Sequence, residues 1–210
     1  MKRIIKKIVV LLIRLFYSLF SSNFLKYLSI KLNQLYSIWK SNDFKKIGGN
    51  PYFLYPMYVH GAKYIEIGEN FNCGYRLRLE AFDDHLGHKF NPKITIGNNV
   101  SINFDCHIGA TNEIEIGDGV LIASKVFITD HYHGEISSES IIIPPSERKL
   151  FSKGRVKIEK NVWIGESVAI LPGVTIGENS IIGANSVITK NIPKNSVVGG
   201  NPARIIKTLQ

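Results

Sequence analysis

The segment IEKNVWIGESVAILPGVTIGENSIIGANSVITKNIP, Ile158 to Pro193, divides without remainder into hexads that each begin with isoleucine: Ile158, Ile164, Ile170, Ile176, Ile182 and Ile188. The fifth place of the hexads is small or β-branched in Val162, Val168, Val174, Ser180 and Ser186, and Ile192 closes the set. Such a period cannot line one face of an α-helix, because about 3.6 residues per turn would scatter these positions round the cylinder. A short strand followed by a turn explains it. Each hexad then supplies one flat side, and three sides close a triangular coil of about eighteen residues. Stacked coils bury the isoleucines in a ladder at roughly the 4.8 Å strand spacing.

The same beat occurs earlier, as Ile96, Ile102 and Ile108 and, after two extra residues, Ile116, Ile122 and Ile128. Val100, Cys106, Val120 and Val126 take the fifth place, and Ile67, Cys73 and Leu79 form a weaker turn of the pattern. Clusters such as GNNV, GENS and GANS supply corners. The reading is a mainly β fold, a parallel β-helix of about five coils between Ile65 and Val198, with an α-helical N-terminal segment and one long inserted loop. By residue, it divides into an amphipathic helical region over 1–50, the β-helix over 51–200 with a loop inserted at 129–157, and a tail over 201–210.

The chain has 210 residues, 44% of them hydrophobic and 20% charged, enough for a sizeable core. Its formal net charge of +9 favours anionic partners without choosing among them. The two cysteines, Cys73 and Cys106, lie far apart at inward positions, as small core residues in a reducing cytoplasm rather than as a disulfide or a zinc knuckle. The opening MKRIIKKIVVLLIRLFYSLF resembles a signal peptide, but Arg14 splits its apolar run and no small-x-small cleavage pattern follows. As a helix it carries Arg3, Lys7, Arg14 and Ser18 on one stripe and aliphatic or aromatic residues elsewhere. The apolar surface is covered either by protein or by the headgroup zone of a membrane. A second helix is expected from about Asn23 to Lys40, before the breaker at Gly48 to Pro51.

Between Ile128 and Ile158 the beat stops for thirty residues, a multiple of six, so the ladder resumes in phase after an excursion. The excursion opens with FITDHYHGE, Phe127 to Glu135, and carries Pro144, Pro145 and the cations Arg148, Lys149, Lys153 and Arg155. Long loops on a regular scaffold are where function concentrates. In an extended chain His131 and His133 point to one side and Asp130 to the other, so Asp130 is not expected to orient either ring.

The stretch NVWIGESVAILPGVTIGENSIIGANSVITKNIPKNSVVGGNPARIIK, with the histidine loop before it, resembles the hexapeptide-repeat acyltransferases, nearest to the maltose, galactoside and O-antigen or capsule O-acetyltransferases. The resemblance covers roughly Ile65 to Leu209. It implies a left-handed β-helix, against the usual right-handed crossover, a homotrimer, acetyl-CoA as co-substrate and no metal. It implies His131 as the base that takes a proton from the acceptor hydroxyl, a role suited to imidazole near neutral pH, with His133 as the weaker candidate beside the substrate. Asn103 matches an asparagine that helps hold the acceptor. Acyl-CoA is implied along a groove between neighbouring helices, near Trp163, the backbone of Glu166 and Ala184, then Thr189, Lys190, Arg204 and Lys207, the cations meeting its phosphates. Glu80 and Arg78 lie a coil earlier and could face the same cleft. Two departures stand out. Glu159 replaces the glycine common after the isoleucine, and the family's N-terminal acceptor-binding residues have no match.

These observations lead to an O-acetyltransferase acting on a sugar hydroxyl in surface polysaccharide assembly, cytoplasmic or peripheral at the inner face of the membrane. An antibiotic acetyltransferase is the runner-up. A γ-carbonic-anhydrase-like zinc enzyme using His107 and His131 would need a third ligand from His85, His88 or His133, and a non-catalytic solenoid would not need the histidine loop. No nucleic-acid-binding motif occurs.

Overall fold

The computed structural model describes residues 2–209. Three parallel sheets wrap one core. The first face stacks Lys46–Ile47, Ile65–Ile67, Lys93–Ile96, Glu113–Ile116, Val156–Ile158 and Thr175–Ile176. The second stacks Tyr52–Phe53, Asn72–Cys73, Ser101–Ile102, Leu121–Ile122, Trp163–Ile164 and Ile181–Ile182, then Ser196–Gly200, and ends on the antiparallel strand Ala203–Thr208. The third stacks Tyr58–His60, Arg78–Ala81, His107–Ala110, Phe127–Thr129, Ala169–Ile170 and Val187–Ile188.

The hexad isoleucines pair in register. Ile96, Ile116, Ile158 and Ile176 align on the first face, Ile102, Ile122, Ile164 and Ile182 on the second, and Ile108, Ile128, Ile170 and Ile188 on the third. All are buried, as are the valines in the fifth places. Cys73 and Cys106 are core residues, and burial pushes their thiols up to about 12 and about 11. The thiolate is the reactive form, so both are inert as nucleophiles near neutral pH.

The coils begin earlier than the periodicity indicates, at Lys46, where the strand pairs with Ile65–Ile67. In this first coil Ile47, Phe53 and Val59 pair with Ile67, Cys73 and Leu79. Two of these three inward places are not isoleucine, so the marker that identifies the later coils is weak here.

Corners explain the polar letters of the repeat. Asn70, Asn99, Asn161, Asn179 and Asn195 all have positive φ, a conformation asparagine tolerates better than most residues with a Cβ. Their amides also join coil to coil, Asn70 to Asn99 at 3.0 Å, Asn161 to Asn179 at 3.3 Å and Asn179 to Asn195 at 3.1 Å. The glycine after the isoleucine has a different cause. A Cβ on Gly117 would stand 2.8 Å from the backbone nitrogen of Lys160 in the next coil. Gly117→Ala is therefore expected to spread two coils and to destabilise the chain by about 1–3 kcal/mol, the range for overpacking, read as a lowered Tm. An unchanged Tm would show that the stack yields freely there. Glu159, in the same column, is accommodated with its Oε2 accepting the Glu178 N–H at 3.1 Å.

Two helices precede the coils, α1 (Lys2–Leu19) and α2 (Ser22–Ser41). Ser21 caps α2 by accepting the Phe24 N–H. The inner side of α2 is polar: Ser37 Oγ accepts the Phe53 N–H at 2.8 Å and Asn33 Oδ1 accepts the Tyr55 N–H at 3.1 Å. These bonds satisfy the free edge of the first strand on the second face, which would otherwise invite edge-to-edge pairing.

Two excursions leave the third face on its exit side. The hairpin Asp84–His85 with His88–Lys89, turning through Leu86 and Gly87 at positive φ, adds to the single loop expected from the sequence. The long excursion is ordered, pairing Tyr132–His133 with Leu150–Phe151 and containing the short helix Ser138–Ile141. Arg148 ties this loop to itself, donating to the Ile143 carbonyl at 2.7 Å, and Arg155 lies 4.0 Å from Glu113. Two of the four loop cations are thus engaged within the chain, Arg148 by the loop's own carbonyl and Arg155 near a strand of the first face.

Candidate active site

Alternation along the third face turns Arg78, His107 and Phe127 outward in one row and Glu80, Gly109 and Thr129 in the next, each row in cross-strand register. His131 follows two residues after Thr129, where the strand ends and the chain bends. Asp130 turns inward and is fully buried. Its Oδ1 accepts the Thr111 N–H at 2.9 Å and the Thr111 hydroxyl at 3.3 Å, and its Oδ2 accepts the Asn112 N–H at 2.8 Å. The same Oδ1 lies 3.0 Å from His131 Nδ1. The expectation that Asp130 points away is therefore wrong, because it assumed an extended chain past Thr129. Thr129 Oγ1 adds a second anchor, accepting the His131 N–H at 3.2 Å.

A carboxylate at Nδ1 places the ring proton there and leaves Nε2 free to accept one. The His131 side chain is only 11% exposed. It packs edge-on to Phe82, with ring centres 6.0 Å apart, and Phe82 lies tilted against His60 at 5.3 Å. A Cβ on Gly109 would lie 3.6 Å from His131 Cε1 and 3.5 Å from His107 Nε2, so this bare backbone forms the floor between the two imidazoles.

His107 Nε2 lies 2.7 Å from Glu80 Oε2, which also accepts from Arg78 at 2.8 Å. Burial and the neighbouring Arg78 hold the His107 ring below its ordinary pKa, outweighing the opposite pull of Glu80. A neutral ring that donates Nε2–H to Glu80 keeps Nδ1 as a bare acceptor. Arg78, Glu80 and His107 thus form a polar cluster beside His131. The sequence indicates that Arg78 and Glu80 could face this cleft but gives them no role, and it points to His107 only as a metal ligand.

His133 sits apart from this cluster. It is exposed on the strand opposite Leu150, and its ring meets His85 of the hairpin at 5.9 Å. A groove of about 490 Å³ runs alongside, between His88 of the hairpin and Gly134, Arg148 and Phe151 of the long loop. Asn103 is exposed at the entry side of the third face, whereas His131 lies at its exit side, so one chain does not bring the two together.

Of the expected coenzyme residues, Glu166 and Ala184 stack on adjacent coils at the corner between the second and third faces. The Asn185 N–H there donates to the Glu166 carbonyl at 2.8 Å. Arg204 continues this edge, paired with Gly199 on the closing hairpin, and Lys207 pairs with Val197. Trp163 is half exposed on the second face, between Leu121 and Ile181. Thr189 and Lys190 are exposed beyond the opposite end of the third face. Among the described residues Lys190, Arg204 and Lys207 take part in no ion pair, and no group of three His, Cys, Asp or Glu side chains is placed to hold a metal.

The stack of hexapeptide coils thus carries a carboxylate-oriented histidine at the root of a looped excursion. Residues 155–190 match the model of the bacterial transferase hexapeptide family, described as six repeats. The WbbJ protein of Escherichia coli K12, assigned as a lipopolysaccharide biosynthesis O-acetyltransferase, is 43% identical over 157 residues, covering 73% of this chain and 76% of that protein. A galactoside O-acetyltransferase of the same organism is 39% identical over 57% of this chain and 56% of its own length. Among solved structures, a maltose O-acetyltransferase from Clostridium difficile 630 is 31% identical, with a TM-score of 0.53 over 80% of this chain and 70% of that one. The Bacillus cereus N-acyltransferase AntD shares the fold, with a TM-score of 0.68 at 23% identity over 82% of this chain and 87% of its own. The chain belongs to the hexapeptide-repeat acyltransferases. It is an acyl-transfer enzyme with acetyl-CoA as co-substrate.

Proposed function

We propose that the chain is an O-acetyltransferase that moves acetyl from acetyl-CoA to a sugar hydroxyl in the assembly of a surface polysaccharide, as a cytoplasmic homotrimer of left-handed β-helices. The observation that carries the reading is the Asp130–His131 pair beside the Arg78, Glu80 and His107 cluster, one side able to remove a proton and the other able to hold hydroxyl groups. The names of the WbbJ, galactoside and maltose relatives support a sugar as acceptor.

In this mechanism His131 Nε2 takes the hydroxyl proton as the oxygen attacks the thioester carbonyl, forming the new C–O bond. The imidazolium is stabilised by Asp130. Collapse of the tetrahedral intermediate breaks the C–S bond, and the proton on His131 passes to the departing sulfur. Backbone N–H groups at the corner of Glu166 and Ala184 are the donors for the transient oxyanion. Nδ1 of His107 and the Glu80 carboxylate accept from acceptor hydroxyls, and Arg78 donates to them. Asn103 would take part only from a neighbouring subunit, since within one chain it stands on the other side of the face. His133 lines the outer approach, where the loop and the hairpin meet.

Trp163 flanks the thiol-bearing arm of the coenzyme in a groove between neighbouring subunits, where Arg204 and Lys207 hold its phosphates from one subunit and Thr189 and Lys190, beyond the opposite end of the third face, reach it from the other. Contacts so far from the reacting bond stabilise ground and transition states alike. Arg204→Ala and Lys190→Ala are therefore each expected to raise the KM for acetyl-CoA by roughly 10- to 100-fold and to spare kcat, as for loss of a charge-assisted contact. High salt should imitate the defect in the wild type. An unchanged KM would place the phosphates elsewhere. The function itself is tested by thiol release from acetyl-CoA across a panel of free, nucleotide-linked and lipid-linked sugars. Release with an antibiotic acceptor and with none of the sugars would favour the runner-up.

A further inference from the structure

Eight of the 26 cationic side chains and none of the 17 carboxylates lie before Asp43, so eight of the nine net positive charges sit on the first fifth of the chain. Within α1 no residue is buried. At about 100° per residue, Ile4, Ile5, Ile8, Leu12, Phe16 and Leu19 fall on one uninterrupted apolar arc, and all are more than half exposed. Lys2, Arg3, Lys6, Lys7 and Arg14 occupy the other arc, where Arg3, Lys6, Lys7 and Arg14 border one shallow surface groove. α2 continues this arrangement in inverted form. Its polar Asn33 and Ser37 face the protein, while Leu35, Ile38 and Trp39 are turned outward, each more than 60% exposed.

Neither helix is long and apolar enough to cross a membrane alone, and the two are bent by 55° where they meet. A helix with an apolar arc, a cationic arc and no carboxylate matches the plane between acyl chains and anionic headgroups. The outward Tyr17, Tyr27 and Trp39 are residues that favour that plane. We infer that α1, backed by the outward face of α2, binds the surface of an anionic bilayer, with the apolar arc toward the acyl chains and the lysines and arginines among the headgroups. This goes beyond acetyl transfer and does not depend on the identity of the acceptor.

The test is flotation of the full-length protein with vesicles of phosphatidylcholine alone and of phosphatidylcholine with phosphatidylglycerol at 3:1. The wild type is expected to float with the anionic vesicles and at least ~10-fold less with the neutral ones, since each cation near the surface contributes a several-fold factor. Lys6→Glu with Lys7→Glu is expected to cut anionic binding at least ~10-fold, and Leu12→Asp with Phe16→Asp to abolish it. Both pairs should keep wild-type thiol release with a soluble acceptor, which separates a failure here from a failure of the acetyltransfer reading. Equal binding to both vesicles, no binding, or wild-type binding by both variants would overturn the inference. So would a loss of subunit association in the Asp variants with vesicle binding intact, because α1 would then be an interface between copies.

Discussion

His131→Ala is expected to lower turnover by about 10²- to 10⁴-fold, the range for removing a general base, while leaving the KM for acetyl-CoA nearly unchanged. The imidazole lies outside the isoleucine ladder, packed on Phe82 and over Gly109, so its loss opens a small space at the edge of the third face rather than in the core. The folded fraction should hold, and circular dichroism checks that directly. His133→Ala is the necessary companion, because the two histidines are separated by a single residue and both lie on the excursion. His133 is exposed, its ring meets that of His85 from the hairpin, and among the described residues no carboxylate is hydrogen-bonded to it. Its loss should change turnover by a few-fold at most. The reverse pattern, with turnover of the His131 variant within about threefold of wild type and collapse of the His133 variant, would move the base to His133 and the reacting carbonyl toward the groove beside His88.

How far the sequence was legible depends on whether a residue's place follows from counting. The ladder does: the spacing of Ile158 to Ile188 sets register, burial and the position at which the excursion interrupts the coil. The first coil does not, because Phe53 and Val59 stand where later coils have isoleucine. The polar cluster is hidden for another reason. Arg78 and His107 are cross-strand neighbours 29 residues apart, whereas His107 and Phe127 are neighbours 20 apart. The hairpin at 84–89 breaks the constant repeat that would have aligned them. Glu80 and His107, 27 residues apart, therefore look unrelated until the hairpin is folded out of the count. Asp130 was misread by a rule that holds only inside a strand. Alternation of sides ends at Thr129, and beyond it the direction of a side chain is set by which donors it can reach. The inverted polarity of α2 was likewise invisible to a pattern that assumes apolar faces turn inward, since here the free strand edge recruits Asn33 and Ser37.

Asp130→Asn should lower turnover by as much as about 10²- to 10⁴-fold where the amide takes the orientation that displaces the His131 proton, for a reason that lies in its four donors. The two oxygens of Asp130 accept backbone N–H groups from opposite sides, Thr111 at Oδ1 and Asn112 at Oδ2, and Oδ1 also meets His131 Nδ1. An amide offers only one oxygen, so either orientation fails. With the NH₂ group toward Oδ1, it opposes the Thr111 N–H and can meet His131 only if Nδ1 becomes the acceptor. That moves the ring proton to Nε2 and removes the base. With the NH₂ group toward Oδ2, the tautomer survives but two buried donors confront each other at Asn112, at a cost of about 1–3 kcal/mol for an unsatisfied buried group. Both orientations therefore set two buried donors against each other and lower Tm, and the first in addition lowers kcat by displacing the ring proton. Both leave the KM for acetyl-CoA in place. A purely structural Asp130 is excluded by the double variant. If the carboxylate works through the imidazole, Asp130→Asn added to His131→Ala should reduce turnover little further, because the partner it positions is already gone. Multiplicative losses in the double variant, with each single loss of full size, would show that Asp130 supports the site by some route other than His131.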